Sequence, residues 1–318
     1  MTIMDTKWTI RRYSPDDSKL WDNLASQSRQ GTMLHMRGYM DYHADRFTDC
    51  SLIACNKGTP AAVLPANITE DSLYSHQGLT FGSWLTPRSH FDGNDMLLLF
   101  GAWLDWCRGN GISKIFYKPV PHIYHRIPAE EDLYALFRFG AEPWYTNLSS
   151  AIDLAANPGF NTQQRRYLKK SAPKGLLIRE TDRTDEFMPL LEKCLRERHG
   201  ASPVHSAAEL QLLKDRFPDN IRLFLCGNAD GTQAEVCVFD SAGVAHCQYI
   251  ATTEEGRLNG TLSFLMQHLI SETFASARYF DFGTSNEASG TILNSGLLHQ
   301  KYGLGGRGIA YQAFKIEI

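Results

Sequence analysis

A chain of 318 residues is about twice an ordinary domain, and its 43% hydrophobic content is enough for two cores. Thirty-two basic and 35 acidic residues give a net charge of −3, which excludes the broad positive field of an extended nucleic-acid surface and leaves room for a local basic patch. The start, MTIMDTKWTIRRYSPDD, is charged throughout and no run of about 18 apolar residues occurs, so a soluble cytoplasmic protein without membrane insertion is expected. Seven cysteines, an odd number without CxxC spacing, read as buried thiols, with no metal implied.

In chain order, a helix-rich stretch at 18–45 precedes strand patterns at 51–55 (SLIAC), 61–68 and 73–80, with the turn NKGTP between the first two. A helix follows at 94–108, where Met96, Phe100, Trp103, Leu104 and Cys107 recur at helical spacing, and then a short apolar strand at 115–117. Asn, Pro and Gly break the pattern at 153–161, and a polar helix spans 162–171. The order then repeats: helix-rich 185–217, strands at 222–226, 234–239 and 244–252, a helix at 261–275 with an i, i+3, i+4, i+7, i+8 stripe, and a strand at 279–282. Cys55 and Cys226 fall at matching places, as do Tyr117 and Asp281. Two copies imply two α/β (α+β) domains, 1–155 and 156–318, each a mixed, mostly antiparallel sheet flanked by helices.

This order of helices, three-strand meander, helix and strand resembles the GNAT acyltransferase fold. NTQQRRYLKKSAPKGLLIRE (161–180) resembles the basic helix, Gly turn and strand that open the second domain of Fem-type transferases. FDFGTSNEASGTILNSGLLHQKYGLGGRG, near the C-terminus, is similar to the ending of GNAT proteins related to the Fem group, a strand with Asp-Phe-Gly leading to a polar loop and a final hairpin. The resemblance implies tandem GNAT domains with the substrate cleft around the second copy. It implies either an acyl-CoA N-acyltransferase, with acetyl-CoA or another acyl-CoA as co-substrate and an amino sugar of surface polysaccharide formation as one acceptor, or a ligase taking an aminoacyl group from tRNA to a cell-wall precursor. The chain lacks the length for the helical-hairpin arm of some Fem proteins, which weighs against tRNA.

The resemblance also directs attention to the turn before the second-copy helix, where GNAT enzymes present Q/R-x-x-G-x-G/A to the pyrophosphate of coenzyme A. Here Arg257, Asn259, Gly260 and Thr261 occupy it, with Leu262 where a small residue is expected. A helix N-terminus with close backbone approach suits an anion, although an ordinary turn would look the same. The first-copy turn at 87–94 lacks that spacing, which places donor binding in the second copy.

Direct attack by an amine needs a base and an oxyanion donor. Asp281, on the apolar strand YFDFG, and Glu287, in the polar loop after it, are the candidate catalytic carboxylates; the plain alternatives are a loop-bonding Asp and a solvated Glu. Ser285 shares that loop, and His246 lies on a strand whose alternation sets it beside Gln248 and Ile250. Lys301 and Arg307, in a glycine-rich ending that also suits a hairpin tip, could hold a phosphate or carboxylate. His76, Tyr117 and Lys118 are the first-copy candidates for acceptor contact. Arg165, Arg166, Lys169, Lys170 and Lys174 form a basic helix that suits RNA phosphates or plain solvation. Leu262 also leaves open a non-catalytic binding protein that kept the fold.

Overall fold

The computed structural model describes residues 8–318, without the side chains of 198 and 199. In its first half, Trp8–Arg12 (β1), the helices Ser18–Gln27 (α1) and Arg37–Met40 (α2), and the short strand Thr48–Asp49 (β2) lead into a hairpin of Leu52–Asn56 (β3) and Thr59–Leu64 (β4). Lys57 and Gly58, both at positive φ, form its two-residue turn, a backbone shape that matches the twist of the flanking strands. Pro65 has no N–H to donate, and the strand expected at 61–68 breaks there. Its continuation, Asn67–Thr69 (β5), pairs with Ser72–Tyr74 (β6) in a different sheet from β3 and β4. The third expected strand stops at Tyr74 because the chain turns through His76, a non-glycine residue at φ 59°.

Gly93–Gly109 (α3) begins at Asp92, whose carboxylate accepts the backbone N–H groups of Asn94 and Asp95 at 2.7 and 3.1 Å. Its stripe of Met96, Leu99, Phe100, Trp103 and Cys107 is buried against Trp84 and against Tyr117 of Lys114–Tyr117 (β7). Glu131–Arg138 (α4) adds Ala135 and Leu136 to the same core, and Glu142–Asp153 (β8) follows. β6 and β7 run parallel through three rungs, Ser72 opposite Lys114, Leu73 opposite Ile115 and Tyr74 opposite Phe116. The C-terminal strand, Arg307–Glu317, returns to pair with β7 through Phe314–Glu317.

In the second half, Thr162–Ser171 (α5) starts where Asn161 caps Gln164 N, and it spans the residues expected of it. Leu177–Thr181 (β9), Thr184–His199 (α6) and Ala207–Arg216 (α7) precede the meander of Ile221–Asn228 (β10), Gly231–Ser241 (β11) and Val244–Thr252 (β12). Glu254–Asn259 (α8) and Thr261–His268 (α9) come next, the latter running into a π-turn at Leu269–Thr273, which shortens the helix expected to reach 275. Tyr279–Thr284 (β13), the two-residue strands Asn286–Glu287 (β14) and Ile292–Leu293 (β15), and Ser295–Gly303 (α10) complete it. The predicted final hairpin is therefore a helix followed by a strand: Asn294 accepts Leu297 N and nucleates α10.

The strands lie in the order β8, β13, β12, β11, β10, β9, antiparallel except for β12 beside β13. Phe224, Val236, Val238, Ala245, Cys247 and Phe280 on one face pack against Leu265, Met266 and Leu269 of α9 and its π-turn, an apolar burial that holds helix to sheet.

The chain divides into two units, residues through Asn147 with Ala310–Ile318, and Leu148–Ile309. The expected division at 155/156 is displaced because Ser149–Asp153 of β8 pair with β13, while the last residues belong to β7. All seven cysteines are free thiols. No helix among the described residues is long and apolar enough to cross a membrane.

Candidate active site

β12 and β13 also pair through only three rungs: Val244 with Tyr279, Ala245 with Phe280, and His246 with Asp281. Beyond the third, the ladders diverge. β12 continues along β11 to Thr252, while β13 continues along β8 through Thr284 and Ser149. His246 and Asp281 therefore face each other at the point where the two strands part. The same rung in the first half is Tyr74 opposite Phe116, so the partner of Asp281 by position is Phe116, one residue before the expected Tyr117.

His246 Nδ1 lies 2.8 Å from Asp281 Oδ2. A carboxylate only accepts, so this contact places a proton on Nδ1, and in the neutral ring the lone pair is then on Nε2. Asp281 is fully buried, and its other oxygen accepts from Ser149 Oγ at 2.8 Å and Gly283 N at 3.0 Å. With both oxygens engaged, Asp281 is built to orient His246. The His246 side chain keeps 18% of its surface exposed. Gly283 lies at φ 72°, which disfavours a side chain, and a Cβ there would stand a tight 3.3 Å from His246 Cε1.

The alternation expected for β12 fails at a bulge. Cys237 pairs with Tyr249 but Val238 pairs with Cys247, so Gln248 is the extra residue. Ile250 consequently packs with Ala245 and Cys247 in the α9-facing core, whereas His246 points to Asp281. Lys301, expected as a ligand contact, is buried on α10 and donates to the carbonyls of Gly283 and Thr284 at 2.8 and 2.6 Å. Burial lowers its pKa to about 8, against the opposing field of Asp281. Its ammonium thus closes two carbonyls of β13 next to the pair.

Ser285 is buried, its N–H on Leu148 O and its hydroxyl without a hydrogen-bond partner among the described residues. Glu287 stands apart, exposed on β14 and bonded to Asn294 Nδ2 at 3.1 Å, the solvated loop carboxylate of the plainer reading. Arg307 is exposed, bonds Gly306 O and lies over the Tyr302 ring.

At the other end of β12, a cleft of about 240 Å³ is lined by Gln163, Gln164 and Tyr167 of α5, Gly256 and Arg257 of α8, Gly260, Leu262 and Ser263 at the start of α9, and Gly296, His299 and Gln300 of α10. Arg257 is exposed here beside an N-terminus that no side chain caps. The other members of the expected turn do different work. Gly260, at φ 76°, faces helix α5: a Cβ would stand 2.2 Å from Tyr167 O. Its missing side chain lets two helices touch, while its backbone also lines the cleft. Asn259 Nδ2 and Thr261 Oγ1 both bond Gln233 Oε1, at 3.2 and 2.8 Å, which staples the turn to β11. Gln233 and Ser149 are the residues the sequence did not reveal. Gln233 looks like part of a turn, and Ser149 is one of two serines in an apolar strand, the single cue that something inside needs a hydroxyl.

The first-half candidates are core residues. Tyr117 is fully buried, donating to Asp132 Oδ2 at 3.0 Å and accepting from Trp84 N. Lys118 is buried and donates to the carbonyls of His76 and Leu79. His76 is buried too, its pKa lowered to about 3, first by burial and then by the charges of His43 and Lys118, so it stays neutral near His43 and Phe47.

An α/β fold of two tandem GNAT-like units is what these strand orders define. The same fold is found in FemX, with 97% of each chain aligned at 11% identity and a TM-score of 0.69. It is found again in L-PGS from Bacillus licheniformis (95% of this chain and 91% of that one, 9% identity, TM-score 0.58). The C-terminal domain of a putative lysylphosphatidylglycerol synthetase from Agrobacterium fabrum also shares it (80% and 81%, 13% identity, TM-score 0.53). At these identities the likeness is one of fold. No family model and no curated protein matches the sequence.

Proposed function

We propose that the protein is an N-acyltransferase that moves an acyl group from acyl-CoA to the amine of a small molecule, with an amino sugar the first acceptor to test. One observation carries this reading: the His246–Asp281 pair at the parting of β12 and β13. His246 Nε2 is the base and Asp281 fixes its tautomer, with Ser149 and Gly283 N holding Asp281 in turn.

The donor's phosphates rest at Arg257 and the α9 N-terminus. Along β12, at about 3.3 Å per residue, that end lies roughly 20 Å from His246. A carrier with phosphates at one end and a thioester on a long flexible arm suits this separation. The amine nitrogen attacks the thioester carbon as Nε2 takes its proton; the C–S bond then breaks, the departing sulfur receives that proton, and amide and free thiol leave. Lys301, whose ammonium donates to the Gly283 and Thr284 carbonyls, adds positive charge next to the pair, of the sign that favours an oxyanion.

Thiol release from acetyl-CoA with a panel of amines tests the reading. His246→Gln is expected to slow it about 10²–10⁴-fold. Wild-type turnover in that variant would overturn the base assignment.

A second reading has its own observation. Arg166, Lys169, Lys170 and Lys174 are exposed on or just after α5, the helix that gives Gln163 and Tyr167 to the cleft. This supports an aminoacyl-tRNA donor, for which binding would fall steeply with salt and with neutralisation of Arg166 and Lys169. A protein that binds neither donor would be the non-catalytic relative.

A further inference from the structure

The first unit holds a cavity of about 380 Å³ that neither the paired rung nor the donor cleft uses. Its volume falls within the roughly 300–1,000 Å³ of sites that take a whole small molecule. Two segments line it, the end of α1 with Leu24 and Gln27, and the loop with Pro87, Arg88 and Ser89, together with Ala61 of β4. Their neighbours fasten these segments to each other. Arg29 N donates to Thr86 O at 3.0 Å, the Arg29 guanidinium reaches Thr86 Oγ1 at 2.8 and 3.1 Å, and Thr86 N donates to Gln30 Oε1 at 3.1 Å. The site is therefore formed in advance, which spares a ligand the cost of ordering it.

The α1 side is a negative pole. A helix ends on carbonyls that lack donors, and here the N–H groups that follow are drawn elsewhere: Ser28 N to Ala25 O, Arg29 N to Thr86 O and Gly31 N to Ser28 Oγ. The Leu24 and Gln27 carbonyls thus lose the donors four residues on, and the last turn of α1 has no basic side chain to offset the dipole. Gln27 adds an acceptor, because its Nε2 is engaged with Asn23 Oδ1 at 2.8 Å and its Oε1 is left over. The loop side is a positive pole. Arg88 is exposed and makes no ion pair among the described residues, and Ser89 beside it adds a hydroxyl. A guanidinium matches a carboxylate through two parallel N–H bonds. The start of α3 takes no part, since Asp92 already caps it.

From these two poles we infer that the cavity binds a zwitterion with an apolar side chain. Its carboxylate rests on Arg88 and Ser89, its ammonium on the Leu24 and Gln27 carbonyls and Gln27 Oε1, and its side chain on Leu24, Ala61 and Pro87. A free α-amino acid and a dipeptide share this chemistry. The site belongs to the first unit alone and goes beyond the transferase reading.

Calorimetric titration of the full chain with L-leucine, L-methionine, L-phenylalanine and L-leucyl-L-leucine tests the inference, with the N-acetylated and C-amidated form of each as singly charged analogues. Binding of a free amino acid assigns that source, binding of the dipeptide alone assigns a peptide, and either supports the site. Both analogues are expected to bind at least about tenfold more weakly than their zwitterion. Arg88→Ala, at an exposed position that spares the fold, should weaken the zwitterion about ten- to hundred-fold. Gln27→Lys, which sets a cation at the negative pole, should weaken the zwitterion and not its N-acetylated form, while Arg257→Ala, in the donor cleft, should bind as wild type does. The inference is overturned if none of the four zwitterions binds at about 10 mM, if either singly charged form binds as tightly as its zwitterion, or if Arg88→Ala matches wild type.

Discussion

Two parallel strand pairs in this chain end on the same third rung and carry opposite content. In the first half the rung is Tyr74 and Phe116, rings stacked 4.7 Å apart and within 9° of parallel. In the second it is His246 and Asp281, joined by a 2.8 Å hydrogen bond. The helices that follow differ in the same sense. α3 begins under the Asp92 carboxylate, which already occupies the place of an anion, whereas α9 begins at Gly260 with no side-chain cap. Even the lysines correspond: Lys118 and Lys301 are both buried and both donate to two backbone carbonyls, but only Lys301 lies in the field of a carboxylate at the rung. A shared scaffold has an apolar, self-satisfied rung in one copy and a polar, oriented one in the other.

The largest effect expected on this contrast comes from Asp281→Asn. An amide at that place would let Nε2 carry the proton, and thiol release should fall about 10²–10⁴-fold, while Glu287→Gln should leave it unchanged. Equal losses in both variants would erase the distinction between the buried and the exposed carboxylate.

Gly260→Ala comes next and acts on stability. Strain at φ 76° and a Cβ 2.2 Å from Tyr167 O should cost about 3 kcal/mol or more in urea unfolding. An unperturbed midpoint would mean that α5 does not rest on this glycine.

A pH dependence distinguishes the halves further. Burial raises Glu235 of β11 from 4.5 to about 9, so the folded chain keeps a proton that the unfolded chain loses. The corresponding stability is complete below about pH 4.5 and is lost as pH rises towards 9. Asp132 beside Tyr117 is raised from 3.8 to about 7, again chiefly by burial, and its share is lost over the lower window from about 4 to 7. Glu235→Gln should therefore melt several degrees above wild type at pH 9, and Asp132→Asn should alter only the slope below pH 7. Thermal unfolding monitored at each pH would show whether the two windows separate.

The smallest effect is that of Asp92→Ala. Loss of the α3 cap should cost about 1 kcal/mol and leave thiol release untouched, as befits a helix start that holds no ligand.

Periodicity made most of the scaffold readable in advance. The stripes of α3 and α9 and the repeated order of elements follow from local spacing of apolar residues, and the start of α5 from the Asn, Pro and Gly that break the pattern before it. What local spacing cannot carry is which residues meet across strands. His246 and Asp281 each stand out in the sequence, but their meeting depends on a parallel register between segments far apart in the chain, and Gln248 breaks the alternation that would place His246. Asn259, Gly260 and Thr261 match an anion-binding turn by type and serve packing by geometry, because Gln233 and Tyr167 O lie behind them. Tyr117 and Lys118, in a polar, proline-rich run, and His76, in YSHQGLTFGSW, look like ligand contacts, yet all three are buried with backbone or core partners.

The most direct test of the paired rung is chemical rescue. His246→Gly removes the imidazole and leaves Asp281 and Ser149 in place, and added imidazole can enter the vacated space beside Gly283. The account predicts that thiol release falls by at least about 10²-fold and is restored in proportion to the imidazole supplied, more so at pH values where free imidazole is neutral. Full turnover in His246→Gly without imidazole would contradict it.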